Sequence, residues 1–444
     1  MQPVDLLVSA RWVIPVEPAM AVLADHSVAV AAGRIVALLP TAEAERLYEP
    51  SQHVRLAQHA LLPGLINLHT HAAMTLMRGL ADDLPLMTWL KGHVWPAEAK
   101  HVSPEFVHDG TLLACAEMLR GGVTCFNEMY FHPEAAARAA VEAGMRATIG
   151  IIAFEFPTPY AADADDYIAK GLVARDAFKD EPLLSFCMAP HAPYTVSDRT
   201  FARIATIAEE LDVPIHMHVH ETRHEIEESI AQHGMRPLQR LQELGLLGPR
   251  LIAVHAVHTT DQELDTLARF GASVAHCPSS NLKLASGFAP VAAMLERGIN
   301  VGLGTDGAAS NNRLDLFQEM RSAALLAKAV AEDAEAMPAH QALAAATQHG
   351  ARALGLEASI GSLVPGKVAD LCAVALDALE LAPCYDVVSH LVYAAGREHV
   401  SHVWVAGVAR VMDGELLGPA GHNLNNRILL WHNKLAAETK AVGV

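Results

Sequence analysis

Four residues able to ligate a divalent metal stand at the ends of short apolar runs. His69 and His71 close residues 65–71, His218 lies in 215–221, and Asp306 ends 301–306. Imidazole nitrogen and carboxylate oxygen suit borderline divalent ions, and a catalytic site keeps one position open for water. Three or four such donors, each run ending a different strand, point to metal-assisted hydrolysis.

Strand geometry sharpens this reading. Residues two apart project from one face, so His69 and His71 can grip one ion together. The residues leading to His69 (61–68) are apolar on both faces, as a buried parallel strand requires. His216 and His220 share the parity of His218, so periodicity alone leaves these three histidines open as ligands. Most of the 25 histidines, such as His26, His53, His340 and His432, fall outside any ligand spacing.

The elements that must position these donors are a repeating series. Apolar runs at 61–68, 123–127, 147–152, 184–189, 213–219, 251–255, 272–276 and 299–304 alternate with helix-length amphipathic segments. That alternation predicts an α/β fold, a (β/α)8 TIM-type barrel over residues 59–360, whose chemistry sits at the C-terminal ends of the strands. The chain ends differ: 5–13, 27–39 (broken like a hairpin at Ala32-Gly33), 369–374 and 400–411 read as β. Neither end makes a core alone, so residues 1–58 and 361–420 are expected to pair as a small composite β-sandwich domain. Residues 423–440, within a C-terminal segment 421–444, read as a terminal helix.

At 444 residues and 52% hydrophobic composition, the chain can bury a large core, yet it has no apolar run of membrane length. The N-terminal residues lack the pattern of a secretory signal. Six cysteines without a Cys-x-x-Cys pair fit reduced thiols and a cytoplasmic location. A formal charge of −18 repels phosphate backbones and acidic membranes, so neither nucleic acid nor membrane is an expected partner.

Five segments together resemble the amidohydrolase superfamily, and within it the deaminases of 5'-methylthioadenosine and S-adenosylhomocysteine. They are residues 63–71 (PGLINLHTH), 218–222 (HVHET), 254–258 (VHAVH), 304–311 (GTDGAASN) and 362–371 (SLVPGKVADL). The resemblance covers nearly the whole chain. It implies one divalent metal ion held by His69, His71, His218 and Asp306, zinc being favoured by the donors although iron(II) or manganese accepts the same set. The fourth expected barrel strand, 183–190, carries no lysine or acidic residue to bridge two metals, which resembles the mononuclear branch.

The resemblance also implies roles. Glu221 resembles a proton shuttle that protonates the purine beside C6 and then the leaving amine. His255, ending its strand, resembles the histidine that orients the attacking water, and Asp306 accepts a proton from that water. Glu98 and Trp89, after the first barrel strand, fall where the family's lid meets the nucleoside; Glu98 would accept hydrogen bonds from both ribose hydroxyls. His191 resembles a contact to a purine ring nitrogen. A purine nucleoside is therefore the expected small-molecule substrate, and a homo-oligomer the expected assembly. The segment 153–160 departs from the pattern: some relatives place arginine there, and this chain has none, which favours an apolar wall.

Other readings remain compatible with these residues: a triazine chloro- or aminohydrolase, a guanine or cytosine deaminase, and a non-catalytic scaffold. The cytidine-deaminase zinc signature is absent from the sequence.

Overall fold

The computed structural model describes residues 1–418 and 424–439. Two eight-stranded sheets organise the chain. The first begins with β1 (Gln2–Val13), β2 (Leu23–Ala31), β3 (Arg34–Pro40) and β4 (Tyr48–Pro63). The second is wholly parallel and runs in sequence order through β5 (Leu65–Thr70), β6 (Val123–Glu128), β7 (Arg146–Ala153), β8 (Leu184–Pro190), β9 (Ile215–Val219), β10 (Leu251–His255), β11 (Ser273–His276) and β12 (Asn300–Leu303). The chain then returns to the first sheet as β13 (Leu371–Ala375), β14 (Val400–Val405), β15 (Val408–Met412) and β16 (Glu415–Leu416), giving the order β16-β15-β14-β13-β4-β1-β2-β3.

The parallel sheet curls into the expected barrel. Its two edges meet where the N–H of Asp306, just beyond β12, donates to the carbonyl of His69 in β5 at 3.0 Å. Asn67 reinforces the seam from inside: its Nδ2 donates to Thr305 Oγ1 at 2.8 Å, and its Oδ1 accepts from the Thr305 N–H at 3.0 Å. Every residue of β5, β6, β9, β10 and β11 is buried, which is why these strands read as continuous apolar runs rather than alternating ones.

The hairpin expected at Ala32-Gly33 joins β2 to β3. Both turn residues have positive φ (48° and 73°), the twist that a two-residue turn between strands demands. Ala406-Gly407 repeats the device between β14 and β15. The terminal helix is Leu424–Thr439; Asn423 and Lys440, the ends anticipated for it, lie outside the described residues.

One expectation is corrected. Residues 61–68 do not form a single barrel strand. Leu61 and Leu62 belong to β4, paired with β13 in the first sheet, and the barrel begins only at Leu65. Gly64 makes the change of sheet possible, since a Cβ there would meet Thr124 Oγ1 at 2.0 Å. β4 itself, 16 residues long, carries too many polar residues between Tyr48 and Gln58 to announce itself as a strand; its exposed and buried positions alternate as a half-covered strand should. Arg146 of β7 and Asp370 lock the two sheets together, with Nε to Oδ2 at 2.9 Å. No helix among the described residues is long and apolar enough to cross a membrane.

Candidate active site

The ligand residues named from sequence converge at the C-terminal mouth of the barrel. His69 Nε2 lies 3.2 Å from Asp306 Oδ1, His71 Nε2 lies 3.3 Å from the same oxygen, and His218 Nε2 lies 3.3 Å from His69 Nε2. A tetrahedral zinc with bonds of about 2.0–2.1 Å spaces its donors roughly 3.3–3.4 Å apart. These three spacings match such an ion; the donors fall in two overlapping triads that share His69, one with His71 and Asp306 and one with His218 and His255.

Hydrogen bonds at the far ring nitrogens fix which atom faces inward. His71 Nδ1 donates to the Met129 carbonyl at 2.5 Å, and His218 Nδ1 to the His191 carbonyl at 2.8 Å. His69 Nδ1 meets His216 Nε2 at 2.9 Å. Each ring thus spends Nδ1–H outward and presents an Nε2 lone pair, the arrangement seen where a second layer of groups orients metal-binding histidines. Burial pushes His69 down to about 4 and His218 well below its ordinary value, so both rings are neutral, as ligands must be. Asp306 Oδ2 accepts from Ser280 at 2.6 Å and Ser310 at 2.7 Å.

The parity ambiguity among the three histidines of β9 is resolved by depth. His216 and His218 share a face of the strand, but His216 stands below, behind His69. His220 lies past the end of β9, where φ is 57°, and its Nε2 accepts from the Leu238 N–H at 3.2 Å. Of the three, only His218 brings a ring nitrogen to the inward Nε2 of His69, in a group that His255 completes.

Glu221 and His255 stand side by side at this mouth, with His255 Nε2 3.9 Å from Glu221 Oε2. His255 ends β10, whereas His258 lies beyond it and bonds to the Ser286 carbonyl. Asn281 accepts from His255 Nδ1 at 2.9 Å through its Oδ1, which leaves the Nε2 lone pair facing Glu221. Burial raises the Glu221 carboxyl, with Asp306 adding to the effect. Glu225 holds the Glu221 backbone in place, accepting from the N–H groups of His220 and Glu221 at 2.9 and 2.8 Å. His255 and Asp306 have φ of 72° and 61°, a left-handed backbone that costs about 1–3 kcal/mol per residue and gathers at functional sites.

These groups floor a cavity of about 260 Å³ that also includes Glu98, Trp89, His191 and Tyr130. Glu98, on the helix Trp95–His101, accepts from Tyr130 Oη at 2.7 Å, and burial pushes its carboxyl up to about 7. Trp89 is buried and donates its indole N–H to the Leu80 carbonyl at 3.3 Å. His191 packs on Phe154 with centroids 4.6 Å apart, and its Nδ1 lies 3.1 Å from Thr195 Oγ1.

Several residues here escaped the sequence reading. Tyr130, Asn281, Ser280, Ser310 and Glu128 all hold site residues, and none shows a ligand spacing. Glu128 ends β6, accepts from Thr70 Oγ1 at 2.6 Å and from the Ala72 N–H, and so pins the chain on both sides of His71. Position at the end of a barrel strand was the one signal that could have found it.

Comparison with known proteins follows this geometry. The model of the amidohydrolase family matches residues 60–410. A 5-methylthioadenosine/S-adenosylhomocysteine deaminase of Saccharophagus degradans is 48% identical over 436 residues, covering 98% of each chain. A 5'-deoxyadenosine deaminase of Methanothermobacter thermautotrophicus is 45% identical over 356 residues, 80% of this chain and 83% of its own. A crystal structure of an adenosine deaminase from Xanthomonas campestris with bound zinc superposes with a TM-score of 0.97 at 50% identity, covering 98% of this chain and 99% of the other.

Proposed function

We infer, given that the chain belongs to the amidohydrolase family, that it is a metal-dependent deaminase of 5'-modified adenosines, converting them to the corresponding inosines with release of ammonia. One observation carries this reading. A single cavity brings the donors His71, His218 and Asp306, with Glu221 and His255 beside them, within reach of a carboxylate suited to a ribose. The similar proteins that bear such names support the same reading.

The cofactor is one divalent ion, zinc, held by His69, His71, His218 and Asp306. When bound, it lowers the pKa of a coordinated water toward neutrality. The chain's own groups do the rest. His255, its tautomer set by Asn281, accepts a hydrogen bond from the attacking water and fixes its direction toward C6 of the purine. Asp306 takes the proton that the water loses. Glu221, whose carboxyl burial raises, gives a proton to the adjacent ring nitrogen as C6 becomes tetrahedral, then takes the proton of the new C6 hydroxyl and passes it to the amine, so that the carbonyl forms and ammonia departs; the proton held by Asp306 restores Glu221. His191 contacts the purine, Trp89 covers it, and Glu98 binds the ribose hydroxyls.

The finer expectations are proposals on the same footing. The barrel of residues 59–360 is the catalytic domain, flanked by 1–58 with 361–420 and by the tail 421–444. The enzyme works in the cytoplasm as a homo-oligomer without nucleic-acid or membrane partners; free cysteines and a net charge of −18 support the compartment and the exclusions, and resemblance alone supports the assembly.

The test is the ultraviolet change from adenine to hypoxanthine, with ammonia release, for zinc-loaded protein given 5'-methylthioadenosine, S-adenosylhomocysteine, adenosine and an aminotriazine. Turnover of adenosines is expected. Silence on all of them would overturn the assignment.

A further inference from the structure

Between Met77 and Ser103 the chain makes a long excursion that supplies Trp89 and Glu98 to the cavity. Near its start the backbone is strained. Ala81 and Asp83 have φ of 58° and 64°, a left-handed conformation that non-glycine residues keep only where their surroundings impose it. Asp82, between them, is held from two sides: its Oδ1 accepts from Lys283 Nζ at 2.7 Å and its Oδ2 from Asn312 Nδ2 at 2.8 Å. The Lys283 ammonium also donates to the Ala309 carbonyl at 3.1 Å and to Asn312 Oδ1, so all three of its protons are used. Arg78, at the root of the excursion, pairs with Glu117 and donates to the Asn312 carbonyl. The Lys283 and Asp82 side chains are only 20% and 33% exposed, so water and salt screen this pair less than one on the open surface.

Lys283 thereby ties together three loops of one site. It ends the helix Pro278–Lys283, whose Ser280 and Asn281 hold Asp306 and His255. Ala309 and Asn312 follow Asp306 in the loop that also carries Ser310, and Asp82 belongs to the excursion. We propose that Lys283 is a positioning residue: by gripping Asp82 it fixes the excursion so that Glu98 and Trp89 are in place before the nucleoside arrives. The inference rests on the deaminase reading above and on Glu98 as the ribose acceptor. Lys283 and Asp82 both lie outside the cavity lining, so their effect on substrate runs through the excursion. Without the tether, Ala81 and Asp83 are free to leave their strained conformations, and the excursion samples arrangements that misplace Glu98. The nucleoside then binds only the competent fraction of molecules, so its apparent affinity falls by that fraction while the chemistry of bound substrate is unchanged.

The experiment compares the zinc-loaded parent with Lys283→Met, which keeps an unbranched apolar side chain and removes the three donors, and with Asp82→Ala, which cuts the same tether without altering the helix that carries Asn281. Steady-state kinetics on 5'-methylthioadenosine are read beside hydrogen exchange of the amides in 79–101. In both variants KM should rise about tenfold with kcat within about threefold of the parent. Exchange across 79–101 should quicken while the barrel strands stay protected, and zinc content should hold at one ion per chain. An unchanged KM in Asp82→Ala, or exchange in 79–101 as slow as in the parent, overturns the proposal. So does a fall in kcat at constant KM in Lys283→Met, because the disturbance would then act through Asn281 and His255. Should Lys283→Met fail to fold, Asp82→Ala on its surface loop decides by the same two readouts. A parent enzyme silent on every adenosine removes the deaminase reading instead, and the exchange data still decide whether Lys283 holds the excursion.

Discussion

The N–H of Asp306 donates to the carbonyl of His69 at 3.0 Å, so the first and last strands of the barrel close on each other through two residues whose side chains face the same point. Closure and metal geometry are thus one structural event. Asn67, which bonds Thr305 through both its amide atoms, supports them together. Asn67→Leu would leave the Thr305 N–H without its partner in the core, at about 1–3 kcal/mol, while the Thr305 hydroxyl still donates to the Asp306 carbonyl. Urea unfolding should show that loss, and the stabilisation that added zinc confers should shrink with it. An unchanged zinc-dependent shift in midpoint would separate closure from the site.

His216 reaches no further than His69 Nδ1, yet it sets the orientation of that ring. His216→Phe should weaken zinc binding by about 10- to 100-fold in competition with a chelator, while His220→Phe, which breaks contacts to Leu238 and Glu263 and none to the donors, should leave affinity within a few-fold of the parent. Equal losses in the two variants would reopen the choice of third nitrogen ligand on β9.

Glu221→Gln keeps the shape of the side chain and removes its proton chemistry. Metal content by elemental analysis should remain at one ion per chain while kcat falls by at least about 10²- to 10⁴-fold. Substantial retained turnover would assign the proton transfers to another group.

Glu98 and Tyr130 make a pH-dependent pair. The Glu98 carboxyl is pushed up to about 7 by burial, against the lowering effect of the Tyr130 hydrogen bond. It is protonated below that value and an all-acceptor carboxylate above it. If the carboxylate binds both ribose hydroxyls, KM for a nucleoside should fall as pH rises through about 7. Tyr130→Phe removes the bond that favours ionisation, so the inflection should move to higher pH. Glu98→Ala should damage nucleoside turnover far more than that of the free base. A pH-independent KM in the parent enzyme, or equal losses on nucleoside and base, would take the ribose away from Glu98.

Much of this protein was legible in its residues because burial on both faces writes barrel strands as uninterrupted apolar runs, and a functional barrel places its polar exceptions at their ends. His69, His71, His255 and Asp306 stood out for that reason, His218 and Glu221 were named through the family resemblance, and the hairpin at Ala32-Gly33 showed in its turn residues. Alternation along a strand has period two and carries no depth, so it could not rank His216, His218 and His220; only the packing of β9 against β5 did that, by putting His216 behind a ring and His218 beside one. It also could not show that 61–68 is divided between two sheets at Gly64, since both sheets bury their leucines alike. The supporting groups, Tyr130, Asn281, Glu128 and the serines on Asp306, come from segments far apart in the chain. Their partnerships arise from long-range closure, and no local pattern of residue types encodes a contact made across a barrel.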